Sequence, residues 1–204
     1  MEPDILTTLR AHTRPLQAAL ESRYPFCHFL QDRPLEVGVY ADVLIVLYQF
    51  HAMSRHWLSG PRVTTPFALS TDNVLAALDA DLNALGIQAD TLLCPAPLAV
   101  VGSDSACAIG AQYVWLGSSL GAIRICQWLK HTAPTLPHQY YTLMKTQSRG
   151  WSRFTATLGS RCQQAGVSDT AVASAASALF DALLHLAAER DVTGQVTVKS
   201  IANI

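Results

Sequence analysis

The chain has 204 residues, half of them hydrophobic and only 14% charged, with a formal net charge of −1. This is enough apolar chain for one large globular domain, and the near-neutral balance lacks the electrostatic footprint of a nucleic-acid binder or of a protein drawn to anionic membranes. Five cysteines (Cys27, Cys94, Cys107, Cys126 and Cys162) are odd in number and form no C-x-x-C pair, so they read as reduced, small apolar residues and not as a metal site or disulfide framework.

The N-terminus carries Glu2 and Asp4 ahead of any apolar run and has no signal-peptide core, which predicts a cytoplasmic protein. Helical periodicity dominates the chain and β-type alternation is almost absent before the tail, so an all-α single domain is expected. The first helix starts near Asp4, whose side chain is placed to cap it, and runs to about Ser22 with Leu6, Leu9, Thr13, Leu16 and Leu20 on one stripe. Pro15 falls inside it, where a helix kinks or starts late. A second helix spans about Pro34 to Leu58, with Pro34 in its first turn and Tyr40, Val43, Leu44, Leu47, Phe50, Ser54 and Trp57 facing inward.

After a loop at Ser59–Ser70, a third helix covers about Thr71 to Leu85 and stops at Gly86. A second loop, Cys94–Ser103, precedes a helix from about Asp104 to His131. Two more are expected at about Pro137–Ala165 and Ser168–Arg190, parted by Gly166. Residues 191–204 alternate weakly and read as a loose tail behind a helical domain of residues 1–190.

The fourth helix is the most informative. It runs without a charge from Ser105 to Ile123 and places Gly117 and Gly121 one turn apart, although glycine in a helix interior costs about 0.5–1 kcal/mol relative to alanine. Such a pair suits a membrane span with a Gly-x-x-x-Gly face, a tightly packed core helix, or a helix laid across a flat ligand. Gln112, Ser105, Ser118 and Ser119 dilute its hydrophobicity, no second span is evident and the flanks lack basic clusters, so no membrane partner is expected.

Five segments in order resemble the heme oxygenase family. Tyr113, Val114, Gly117, Ser118 and Gly121 match its distal-helix pattern, which in bacterial members is similar to Tyr-Val-x-Glu-Gly-Ser-x-x-Gly-Gly. Tyr40–His51 resembles the second core helix, and Leu78–Gly86 the Asp-Leu-x-x-Leu-Gly segment. Trp151, Phe154 and Leu158 match a Trp-x-x-Phe-x-x-x-Leu pattern, and Leu9–Glu21 looks like the first helix, which carries the iron ligand. The resemblance covers about Ile5 to Arg190. It implies a multi-helix bundle in which heme is itself oxidised, by O₂ and electrons from an external donor, to biliverdin, CO and iron. A heme is a flat, mostly apolar plate, and Gly117 and Gly121 remove the side chains that would block a helix from crossing it. Such chemistry needs no side-chain nucleophile, in keeping with the lack of a triad, Walker loop or metal cluster.

The departures fall in the site. Where the family has its iron-binding histidine, followed four residues later by glutamate, this chain has Gln17 and Glu21. At 100° per residue Gln17 lies about 20° from Leu6 and about 60° from Leu20, which predicts that it points into the core. A glutamine amide is a poor iron ligand beside imidazole. His12 lies about 140° around the same helix, and His28 lies just past its end; His51 and His56 read as structural or surface histidines. Leu116 replaces the pattern's glutamate, Ala122 its last glycine, and Arg55 an acidic residue of the second helix, which removes two carboxylates from an internal polar network.

Candidates for the heme propionates are Arg10, Arg14, Lys145, Arg149 and Arg153. The last three recur every fourth residue on the expected 137–165 helix and end beside Trp151 and Phe154. The expected site therefore comprises Gly117, Ser118 and Gly121 on the distal helix, and Gln17, Glu21, Tyr113, Arg10, Lys145, Arg149, Arg153 and Phe154 around the heme. Three functions fit: a heme oxygenase with an unusual proximal side, a protein that binds heme or a bilin without turnover, and a fold repurposed for another small ligand.

Overall fold

The computed structural model describes residues 4–59, 71–93, 96 and 103–201. Most of the expected Ser59–Ser70 and Cys94–Ser103 loops, with Cys94, lies outside the described residues. Among those residues the chain is an all-α bundle without strands: α1 (Ile5–Glu21), α2 (Val37–Ser59), α3 (Thr71–Ala84), α4 (Asp104–Thr132), α5 (Gln139–Gln147), α6 (Trp151–Ala165) and α7 (Asp169–Ile201).

α1 passes through Pro15 without a break. The Asp4 side chain makes no capping bond; instead its carbonyl accepts the N–H groups of Thr7 and Thr8 at 2.8 and 3.1 Å. α2 begins at Val37, not Pro34, with the Glu36 carbonyl accepting the Tyr40 N–H at 3.0 Å. The stop signals act as expected. Gly86 (φ +78°) and Gly166 (φ +63°) adopt the left-handed conformation that costs glycine little. The N–H of Ile87 reaches Leu82 O at 3.0 Å and that of Val167 reaches Cys162 O at 3.1 Å, each closing a Schellman motif.

α4 runs up the middle, packed on α5 and α7, while α1 lies along α7 and α2 along α3 and α7. Every residue from Ala106 to Leu116 is buried. The close approach of α4 to α7 occurs at Gly110, where a Cβ would stand 3.0 Å from Ala176 N, 3.1 Å from Ala175 Cβ and 3.1 Å from Val172 O. Gly117 and Gly121 do not bring helices together: a Cβ on Gly117 would make an ordinary 3.7 Å contact with Trp151, and one on Gly121 would meet nothing within 4 Å.

Two buried carboxylates tie distant segments. Asp81 on α3 accepts the N–H groups of Gln139 and Tyr140, both at 2.9 Å, and so caps the N-terminus of α5 from another helix. Burial raises the Asp81 carboxyl above its usual range, and the two donors partly offset this. Asp42 on α2 accepts from Tyr24 and, at 2.5 Å, from Arg190 Nε on α7.

The expected 137–165 helix is two helices joined by a 3₁₀ turn at Ser148–Gly150. Gln147, Ser148 and Gly150 have ψ of −24°, −24° and −21°, values of a 3₁₀ turn, and three residues per turn instead of 3.6 rotate everything downstream. The last helix does not stop at Arg190 but continues to Ile201. Finally, α4 is not alone in having a span's length and apolarity: Val37–Leu58, Asp104–Thr132 and Asp169–Val192 all qualify, with 72%, 72% and 50% of their most apolar windows buried inside the bundle.

Candidate functional site

α1, α2, α4 and α7 enclose a cavity of about 450 Å³, completed by Tyr140 and Tyr141 of α5 and Trp151 of α6. This is within the range of about 300–1,000 Å³ usual for small-molecule sites. The amphipathic pattern of α1 builds its first wall. Ile5, Leu9 and Thr13 follow one another at every fourth position into the core, and the next member of that row is Gln17, where the row leaves the core and meets the cavity.

Gln17 is consequently exposed at the cavity's rim, not pointed into the core, and its Nε2 donates to Glu21 Oε1 at 2.8 Å. Arg10 and Arg14, one turn apart, continue the same exposed rim toward the N-terminus of α1. Between rim and core sits Thr13. Its hydroxyl donates to Leu9 O at 2.9 Å, so at 3.2 Å it accepts the hydrogen of Tyr113 OH, which pins α1 to α4.

α4 supplies the second wall. Tyr113, Gly117, Ser118 and Gly121 all line the cavity, as does Ala122. The Ser118 hydroxyl donates back to Trp115 O at 2.7 Å, satisfying itself on its own helix. Gly121 leaves open space where any other residue would project a Cβ. Trp151 faces this helix, with its ring centroid 5.7 Å from that of Tyr113.

Phe26, Leu47, Phe50, Phe180 and Leu183 make the interior apolar. Beyond the Thr13 and Tyr113 hydroxyls and the Tyr141 phenol, one further polar pair interrupts it. His51 on α2 is 3% exposed and approaches Tyr140 OH through Nε2 at 3.1 Å, while its Nδ1 is buried without a hydrogen-bond partner. Burial pushes the imidazole down to about 3, and it raises the Tyr140 phenol, so both are neutral near pH 7. His51 also packs against Trp115, with ring centroids 5.2 Å apart.

Of the residues singled out in the sequence, the fold brings Arg10, Arg14, Gln17, Glu21, Tyr113, Gly117, Ser118 and Gly121 to one cavity. Lys145, Arg149, Arg153 and Phe154 are not among its lining residues. The basic stripe is broken because Lys145 belongs to α5, Arg149 to the 3₁₀ turn and Arg153 to α6. Phe154 is fully buried beneath Trp151, with Arg161 stacked on its ring at 5.6 Å.

His51, Phe26, Phe50, Tyr140 and Phe180 also line the cavity, and nothing in their local sequence spacing distinguishes them from core residues. His12 bonds Thr8 O on the exposed face of α1 at 2.9 Å, and His28 meets Arg33 at 2.8 Å. Arg55 pairs with Asp72 of α3 at 2.6 Å and Leu116 is core, so neither substituted position leaves a polar group in the cavity. Among the described residues no cluster of three or more histidine, cysteine or acidic side chains is arranged to hold a metal ion, and Cys27, Cys107, Cys126 and Cys162 are free thiols. No model of a known protein family matches the chain, and neither a characterised protein nor a solved structure matches it.

Proposed function

We propose that this protein holds heme or a related tetrapyrrole in the cavity between α1 and α4, in the manner of a heme-oxygenase-like fold. The observation that carries this is the wall of α4: Gly117 and Gly121 present side-chain-free turns to an apolar cavity whose open rim bears Arg10 and Arg14. A flat macrocycle needs the first, and carboxylates on its edge are met by the second. Burying apolar surface at about 25 cal/mol per Å² supplies the affinity before the entropic cost of association.

The donor set separates the macrocycle from its iron. The apolar walls and basic rim fit the former, whereas α1 presents no imidazole to the cavity, only the Gln17 amide bonded to Glu21, and the imidazole that does line it, His51 of α2, is held against Tyr140. Binding without turnover is therefore the better-supported activity, since axial-ligand identity is a main lever on heme iron.

Oxidative cleavage to biliverdin, CO and iron is the second reading, favoured by the presence of Gly117, Ser118 and Gly121 together on the cavity wall. Bound heme would supply the iron chemistry and an external donor the electrons. In either case the protein's own part is to orient the plate, exclude water with Phe26, Phe50 and Phe180, and keep His51 neutral.

Titration of the purified protein with hemin, followed optically, tests the proposal. A saturable Soret band is expected. A stable band on adding ascorbate or a reductase under oxygen supports holding, and bleaching with growth of biliverdin absorption supports cleavage. Absence of any band refutes both.

A further inference from the structure

His51 and Tyr140 stand together on the inner wall of the cavity and share a single hydrogen-bond contact, His51 Nε2 to Tyr140 OH at 3.1 Å. A neutral imidazole carries one N–H, and a phenol carries one O–H. Two donor hydrogens and one shared contact leave one hydrogen over, whichever tautomer is present. If the phenol donates to Nε2, the imidazole hydrogen is on Nδ1, which is buried and has no partner. If Nε2 donates, the phenol hydrogen is the one without an acceptor.

The surroundings do not absorb it. Phe50 and Trp115 are the ring neighbours of His51, and the Trp115 indole N–H is itself a buried donor without a partner. Gln112 Oε1, a buried acceptor on the same helix, bonds to neither residue. A buried donor left without an acceptor costs about 1–3 kcal/mol. Nδ1 is closed off from the cavity as well as from solvent, so the arrangement a ligand can satisfy is the one in which Nε2 donates and the Tyr140 hydroxyl, on the cavity wall beside Tyr141, offers its hydrogen.

We infer that the His51–Tyr140 pair is a second, inner recognition point of the cavity, donating one hydrogen bond to an acceptor atom, an oxygen or a small anion, carried by the bound ligand. Together with Arg10 and Arg14 at the rim it makes the site two-ended: ionised carboxylates outside, one neutral donor inside. The pair is redundant by construction, because removal of either member leaves the other with its own hydrogen. The inference rests on the tetrapyrrole proposal for its probe but not for its geometry.

The test uses the hemin-loaded full chain and fluoride, a small anion that binds ferric iron and accepts hydrogen bonds. The double substitution His51→Phe with Tyr140→Phe is expected to weaken fluoride binding about tenfold, the effect of one hydrogen bond to a charged acceptor, measured at saturating hemin so that any change in hemin affinity is read separately. Tyr140→Phe alone keeps the imidazole N–H and is expected to change fluoride binding little.

Should the double variant fold poorly by circular dichroism, the unmutated complex reports the same bond. Its fluoride charge-transfer band is then expected at longer wavelength than that of hemin fluoride in an aprotic solvent. Equal fluoride affinity in the double variant and the unmutated protein, or an unshifted band, overturns the inference and leaves heme binding standing. A low-spin spectrum that turns high-spin on His51→Phe alone also overturns it, by placing the imidazole on iron. No hemin band at all overturns both.

Discussion

At Gly121 a methyl group would meet no atom within 4 Å, whereas at Gly110 it would press on backbone atoms of α7. The two glycines therefore predict opposite behaviour. Gly121→Ala is expected to raise stability by about 0.5–1 kcal/mol through helix propensity, seen as a thermal midpoint higher by about 1–4 °C, while weakening hemin binding. A glycine kept only for helix packing would show the reverse. Gly110→Val forces α4 from α7 and is expected to cost about 1–3 kcal/mol in urea unfolding, leaving the cavity's own lining in place. At the rim, Gln17→His removes the amide bonded to Glu21 and offers an imidazole in the family's ligand position. The hemin complex is expected to gain a histidine-ligated optical and electron-paramagnetic spectrum; an unchanged spectrum would mean that α1 does not face the iron.

Among the elements, α5 depends most on another part of the chain. It is short, and its first N–H groups are bonded to the buried Asp81 of α3, so its existence is a tertiary fact. Asp81→Ala leaves two donors buried and is expected to cost about 2–3 kcal/mol by chemical denaturation; Asp81→Asn, which keeps one acceptor oxygen, should cost less. Because Tyr140 and Tyr141 on α5 form part of the cavity wall, Asp81→Ala is also expected to weaken hemin binding although Asp81 lines no part of the site. The 3₁₀ turn that follows α5 accounts for the scattering of Lys145, Arg149 and Arg153. Their four-residue spacing defines a stripe only on an unbroken helix, and the tightened turn is what swings Trp151 toward Tyr113.

For the whole molecule, the neutral buried His51 sets a pH dependence. Its folded value is pushed from 6.5 down to about 3, so between these limits the unfolded chain binds a proton that the folded one refuses. Stability contributed in this way is present above about pH 6.5 and is lost as the pH falls toward about 3. The unmutated protein is expected to lose denaturant stability across that window more steeply than His51→Phe; parallel curves for the two would show that the imidazole is not buried neutral.

Much of the bundle was legible from residue order alone. Helix periodicity, Gly86 and Gly166 as stop signals, and the α1 and α4 faces that meet at the cavity all depend on interactions within a few residues, which sequence spacing encodes directly. Three kinds of feature depended on the assembled chain. Gly110 looks like Gly117 in sequence, yet only the first touches another helix's backbone. His51 looks like a surface or core histidine until Trp115 and Tyr140, from other helices, close over it and remove its water. Gln17 shares the angular position of core residues, but its side of α1 faces a cavity and not packed side chains. The sequence by itself determined where helices form and which faces are apolar, because those are local energies. Only the tertiary structure decided which buried polar groups are left with unmatched hydrogens, because that count is settled by neighbours remote along the chain.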